Sequence, residues 1–169
     1  EFAMAMGKFM ATAVSDKLLE ATPEAVEDGQ AAVRMVRARA AEWKIDPAKL
    51  GMVGFSAGAM TTLGVGLGSD VAARPDFIAP IYPPMMERPV PANAPPMFLA
   101  IALDDPLFST GKQLGLIDSW RTAKRPLEVH LYEKGSHGFG MSNRSAGSAM
   151  WIDQFRAWMV DRKILAAKN

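Results

Sequence analysis

Leu50 to Phe55 is a short unbroken apolar run, closed upstream by the breaker Asp46-Pro47 and downstream by Gly54-Phe55-Ser56-Ala57-Gly58. It lacks the polar–apolar alternation of a half-exposed strand. A continuous run of this length fits a strand buried on both faces of a parallel sheet. The segment that follows, AGAMTTLGVGLG, is built from small residues. Glycine and alanine let a helix approach a sheet closely, at a cost in helix propensity. The chain here reads as a buried strand, a sharp turn and a helix, which is part of a layered α/β architecture.

The remaining elements repeat that alternation. Thr22 to Ile45 reads as one helix, with Thr22 as its cap, Pro23 in the first turn and Glu24 at the positive end. Val26, Val33, Val36, Ala40 and Trp43 recur at helical spacing and form its buried stripe. Arg34, Arg37 and Arg39 lie mostly off that stripe and read as a solvated face. Further strands are expected at Asp76–Tyr82, Met97–Leu103 and Leu127–Tyr132, with a proline-rich loop between the first two of these. Thr110–Lys124 reads as a helix with Leu114, Ile117 and Trp120 facing the core. A final helix, Ser148–Ile164, carries Trp151, Phe155, Trp158 and Met159 on its apolar face. The order predicts an α/β fold, a mostly parallel sheet flanked by helices.

With 169 residues, 49% of them hydrophobic, the chain suits a single domain over residues 1–169, of which 1–21 are left unassigned. The formal net charge of +1 offers no field for nucleic acid or an anionic membrane, and neither is expected as a partner. The absence of cysteine excludes disulfides, thiolate catalysis and cysteine metal sites. Two histidines without cysteine make no recognisable ligand cluster, so no metal and no cofactor is expected. No apolar run reaches the roughly 18 residues of a membrane span. A cytoplasmic location and export with a leader removed both fit. Glu1-Phe2 resembles a cloning scar, and the chain reads as a fragment or a processed form.

Three residue types in order carry the chemistry. Gly54 to Gly58 matches G-x-S-x-G between a strand and a helix, which would lift the Ser56 hydroxyl to the carboxyl edge of the sheet. Both glycines are read as required by a strained, crowded turn. The Ala57 N–H would face a developing oxyanion. His130 lies inside a strand pattern and reads as a face residue, whereas His137 sits in the glycine-rich loop KGSHGFG past a strand and suits a base. Asp104 and Asp105 close the third strand, and either could orient an imidazole one strand over.

On GFSAGAM, DDPLF, GSHGFG and EDGQAAVRMVRARAAEWKIDPAKLG, the chain resembles the α/β-hydrolases, in the branch of small carboxylesterases related to acetyl-xylan esterases and dienelactone-hydrolase-like proteins. The resemblance spans most of Pro23 to Trp158. It favours Asp105, whose Asp-Pro-Leu-Phe fits the family's acid pattern. It implies attack by Ser56, an acyl-enzyme, and hydrolysis by water that His137 activates. A serine peptidase of the prolyl-oligopeptidase type shares the same spacing, and a non-catalytic fold remnant that acts by oligomerising is the alternative outside enzymes.

The departures from that family shape the remaining expectations. The resemblance implies a truncated fold with about four recognisable strands, lacking the N-terminal ones. No His-Gly-Gly-type loop supplies a second oxyanion donor. Leu50–Phe55 would become an exposed apolar edge, covered by a second copy in a homodimer or larger assembly, by a missing part, or by a strand such as Phe9–Val14. Phe55, Met60, Met85, Met86, Phe108 and Phe139 are the candidates to line an acyl pocket. With no room for a helical cap in the proline-rich loop, short-chain acyl esters are the expected substrates.

Overall fold

The computed structural model describes residues 20–107, 114–141 and 147–167. The expected strand Phe9–Val14, the pocket candidate Phe108 and the start of the Thr110–Lys124 helix lie outside them. Four strands form one parallel sheet in the order β1-β2-β3-β4, with β1 Gly51–Phe55, β2 Phe77–Ile81, β3 Met97–Ala102 and β4 Leu127–Tyr132. The helices are α1 (Pro23–Ala38), α2 (Ala40–Trp43), α3 (Ala57–Leu67), α4 (Gly115–Thr122) and α5 (Trp151–Asp161).

The two inner strands are buried at every position, as continuous apolar runs require in a parallel sheet. Alternate side chains leave opposite faces. Ile78 reaches Gly66 of α3, while Phe77 meets Phe155 and Trp158 of α5 at 6.3 and 5.9 Å. Helices therefore cover both faces of β2. Phe98, on β3, joins the same aromatic group at 5.0 Å from Phe155 and 5.8 Å from Trp158.

β1 is an edge among the described residues, and Val53 and Phe55 are 41% and 40% exposed. The strand begins at Gly51 rather than Leu50, whose N–H instead donates to the Asp76 carboxylate at 2.9 Å. β2 likewise begins after Asp76 and ends before Tyr82, whose φ of +42° breaks the strand.

The first helix departs from its reading in three ways. Thr22 Oγ1 accepts from Ala25 N–H and Pro23 opens the helix, but Arg39 leaves helical geometry and splits the segment into α1 and α2. Val33 and Ala40 are buried. Trp43, turned off the stripe by that interruption, is 42% exposed and lies 5.8 Å beneath the Arg39 guanidinium. Arg37 is no solvated side chain. It donates to the carbonyls of Pro47, Ala72 and Arg74 and to the Asp76 carboxylate, tying together the loops that enter β1 and β2.

Leu114 precedes α4 and is largely exposed, whereas Trp120 is fully buried and donates its indole N–H to Pro95 O. The final helix is preceded by a 3-10 turn at Gly147–Met150, so α5 starts at Trp151 and Met159 is only partly buried. Among the described residues no helix is long and apolar enough to cross a membrane.

Candidate active site

All strands are parallel, so their carboxyl ends meet at one edge of the sheet. Ser56 directly follows β1 there. Its N–H donates to Ile81 O at the end of β2, and its carbonyl accepts from Ala59 and Met60 N–H in the first turn of α3. To enter the helix so abruptly it adopts φ +53° and ψ −115°, a conformation that costs a residue with a Cβ about 1–3 kcal/mol.

The two glycines of G-x-S-x-G are not equivalent. A Cβ on Gly54 would stand 2.1 Å from Gly58 O and 2.4 Å from Thr62 Oγ1, so β1 and α3 touch backbone to backbone. A Cβ on Gly58 would meet no described residue within 4 Å, and its φ is not in the left-handed region. The expectation that both are required is corrected: crowding lies on the strand side, and among the described residues nothing crowds Gly58.

Three polar side chains from separate segments meet at this edge. Ser56 Oγ lies 2.8 Å from His137 Nε2, and His137 Nδ1 lies 2.7 Å from Asp105 Oδ2. The Asp105 side chain is fully buried, and its other oxygen accepts from Leu107 N–H at 2.9 Å. Asp105 thus takes the imidazole. The neighbouring Asp104 accepts from Ser136 N–H at 2.6 Å and pins the loop that carries His137. Ser136 and Gly138, on either side of His137, both have positive φ, so the loop doubles back sharply at the imidazole. His130 occupies a β4 face, 5.0 Å from the Phe98 ring, with Nε2 on the Glu128 carboxylate at 2.9 Å.

Aromatic rings wall the serine and histidine. Tyr82 packs edge-on to His137 at 5.1 Å and to Phe139 at 4.8 Å, and Phe55 lies 5.9 Å from Tyr82 and 5.6 Å from Trp151. The Trp151 indole N–H donates to Gly140 O and anchors the far end of the histidine loop. Burial pushes the Tyr82 phenol up; a hydrogen bond from the Gly140 backbone acts against this, and the Asp105 carboxylate adds to it. Tyr82, Trp151 and the bond from Asp104 are absent from the sequence reading of the site. The signal for Tyr82 was its place at the carboxyl end of a buried strand, beside Ser56.

Of the pocket candidates, Phe55 stands at the wall, and Met60 and Met86 are partly buried. Met85 and Phe139 are 4% and 3% exposed and belong to the hydrophobic core, so they back the wall rather than line an open pocket. Ala57 is the first residue of α3, where the N–H has no carbonyl one turn earlier in its helix to bind.

The BD-FAE family model, of an α/β-hydrolase-type family, matches residues 14–75, less than half of the chain. No curated protein matches the sequence. Solved structures match across most of it. An α/β hydrolase enzyme, MGS-M1, from a Medee basin deep-sea metagenome library superposes with TM-score 0.73 at 23% identity, covering 83% of this chain and 65% of that one. An acetyl ester-xyloside bifunctional hydrolase from Caldicellulosiruptor lactoaceticus gives 0.74 at 24% identity, covering 86% and 68%. The carboxylesterase Cest-2923 from Lactobacillus plantarum gives 0.73 at 15% identity, covering 88% and 71%. The chain thus spans about two thirds of the length of these structures, and what it shares with them at such identities is the fold.

Proposed function

Starting from a chain with the α/β-hydrolase fold, we propose that it is a serine carboxylesterase acting on short-chain acyl esters through Ser56, His137 and Asp105. The observation that carries this reading is the unbroken relay from the Ser56 hydroxyl through both nitrogens of His137 to a buried carboxylate, at 2.8 and 2.7 Å. It stands on a turn whose backbone is strained at the serine itself.

In this mechanism Ser56 Oγ attacks the ester carbonyl as His137 Nε2 takes its proton. Asp105 holds the Nδ1–H and stabilises the imidazolium. The carbonyl oxygen gains negative charge beside the Ala57 N–H, at the positive end of α3. Collapse of the tetrahedral intermediate breaks the bond to the alkoxy oxygen. The alcohol departs with the proton from His137 and leaves an acyl group on Ser56. Water then gives a proton to His137 and attacks the acyl carbon, and the carboxylic acid is released as Ser56 regains its hydrogen.

Short acyl chains follow from the wall around the serine. Phe55 stands in ring contact with both Tyr82 and Trp151, and the link from β2 to β3 is a proline-rich loop without a helix. Two of the matched structures are an acetyl ester-xyloside bifunctional hydrolase and a carboxylesterase, in keeping with this reading.

Hydrolysis of p-nitrophenyl acetate, butyrate and palmitate tests it. The expected result is turnover of acetate and butyrate esters, little of palmitate, and loss of about a thousandfold or more in Ser56→Ala. Asp105→Asn, which leaves the imidazole in the wrong tautomer, should lose about 10⁴-fold. Preference for palmitate would remove the short-chain part. Cleavage of peptide amides in preference to esters would favour a serine peptidase, and no turnover would favour a non-catalytic remnant.

A further inference from the structure

A second cleft, of about 570 Å³, opens at the amino ends of the strands, the edge of the sheet opposite Ser56. Its walls come from segments that precede the strands: Pro47 and Ala48 before β1, Val71 and Arg74 to Asp76 before β2, Asn93 to Pro96 before β3, and Arg125 before β4, with Arg37 of α1 alongside. Among the described residues, three guanidinium groups and a single carboxylate line it.

The charges do not cancel. Asp76 Oδ2 is already committed, to Arg37 at 3.0 Å and to Leu50 N–H at 2.9 Å. Arg74 is 7% exposed, yet its partners are neutral: Asn93 O and Oδ1 on one terminal nitrogen and Gly68 O on the other. Its Nε is buried and has no partner among the described residues. Arg125 spends only Nε, on Ala94 O at 2.7 Å, and among the described residues its two terminal nitrogens make no hydrogen bond or ion pair. Arg74 and Arg125 are thus moored on the consecutive carbonyls 93 and 94, two like charges in one recess whose one carboxylate among the described residues, Asp76, is ion-paired to Arg37.

A buried cation without a counter-charge is costly. A guanidinium fork with both terminal nitrogens free matches a carboxylate or phosphate edge in two parallel hydrogen bonds. We propose that this cleft is a binding site for a small oxyanion, taken by the Arg125 fork within the field of Arg74. The anion arrives either free or as the acidic substituent of a larger molecule, and the cleft has room for several heavy atoms beyond it. Nothing in this assignment involves Ser56, so it stands or falls apart from the esterase reading.

Isothermal titration of the whole chain with inorganic phosphate and with succinate, at constant ionic strength set by chloride, tests the assignment. One-to-one saturable binding of either anion is expected, weakened at least tenfold in Arg125→Met. A free-anion ligand shows as binding of phosphate itself. An acidic substituent shows as tighter binding of succinate or phenyl phosphate than of phosphate. Arg74→Met is expected to weaken binding too. Because that buried variant can fail to fold, Arg125→Met, whose side chain is partly exposed, is the deciding one. Its circular dichroism should match the parent. Absence of saturable binding by all three anions, or equal binding by Arg125→Met, overturns the proposal.

Discussion

Replacing Gly54 by alanine inserts a methyl group where β1 touches α3. The new Cβ would stand 2.1 Å from Gly58 O, 2.4 Å from Gly58 C and 2.4 Å from Thr62 Oγ1, whereas ordinary contact begins at 3.4 Å. Two of the three obstacles are backbone, and Thr62 is itself tied to that carbonyl at 2.9 Å. No side-chain rotation relieves the clash, so strand and helix must separate by about 1 Å. Overpacking of this kind costs about 1–3 kcal/mol, and more where only backbone can yield. Against it stands the gain of about 0.5–1 kcal/mol that alanine brings over glycine in a regular element. Gly58→Ala has that gain without the clash. The gain is common to both variants, so they should differ by the clash itself, about 1–3 kcal/mol, with Gly58→Ala the more stable; for a chain of this size that is roughly 2–12 °C in Tm. Thermal unfolding followed by circular dichroism reads the difference. A Gly54→Ala protein as stable as the parent, or a Gly58→Ala protein that falls as far as Gly54→Ala, would refute the account of the turn.

Asp104→Ala frees Ser136 N–H and lets the His137 loop drift, so kcat for a p-nitrophenyl ester should fall about ten- to a hundredfold with KM little changed. Asp104→Asn, whose amide oxygen still accepts, should restore most of it; parental kcat in Asp104→Ala would contradict the positioning role. Burial pushes the Tyr132 phenol up to about 12, from an unfolded value of 10.0. Between these values the unfolded chain has lost the proton and the folded chain keeps it. The stabilisation is therefore full below about pH 10 and is lost as pH rises toward 12. Tyr132→Phe should flatten that alkaline decline in urea titrations, and an unchanged slope would contradict it. The open β1 edge, with Val53 and Phe55 exposed, is proposed to pair with a second copy. Sedimentation should then show a dimer that Val53→Lys dissociates; a monomer at all concentrations in the parent would refute the pairing.

Much of this fold was legible because its inner strands are apolar without interruption. Phe77–Ile81 and Met97–Ala102 are buried throughout, and no amphipathic alternative competes with that pattern. Helix faces were less legible. Trp43 and Leu114 fit the local period but lie where the helix is broken or has not begun, and periodicity carries no record of where a helix's neighbours stop. The roles of Arg37 and Gly54 depend on distant partners, carbonyls at 47, 72 and 74 for one and at 58 for the other. Arg37 therefore looked like a solvated charge, and Gly58 looked as necessary as Gly54. The residues that meet at the candidate site were read from chain order and strand ends. Which of two adjacent aspartates faces the imidazole is decided by the turn after β3, and the residues alone left it open. Tyr82 was passed over because its neighbours His137 and Phe139 lie some fifty-five residues on, and only the parallel sheet brings them to it.

The claim on which the rest depends is that the Ser56 hydroxyl is an activated nucleophile. Incubation with a fluorophosphonate, followed by intact mass and peptide mapping, measures it directly. One adduct per chain is expected, located at position 56, absent in Ser56→Ala and formed far more slowly in His137→Gln. An unmodified Ser56 in folded protein, or equal labelling with and without His137, would contradict it.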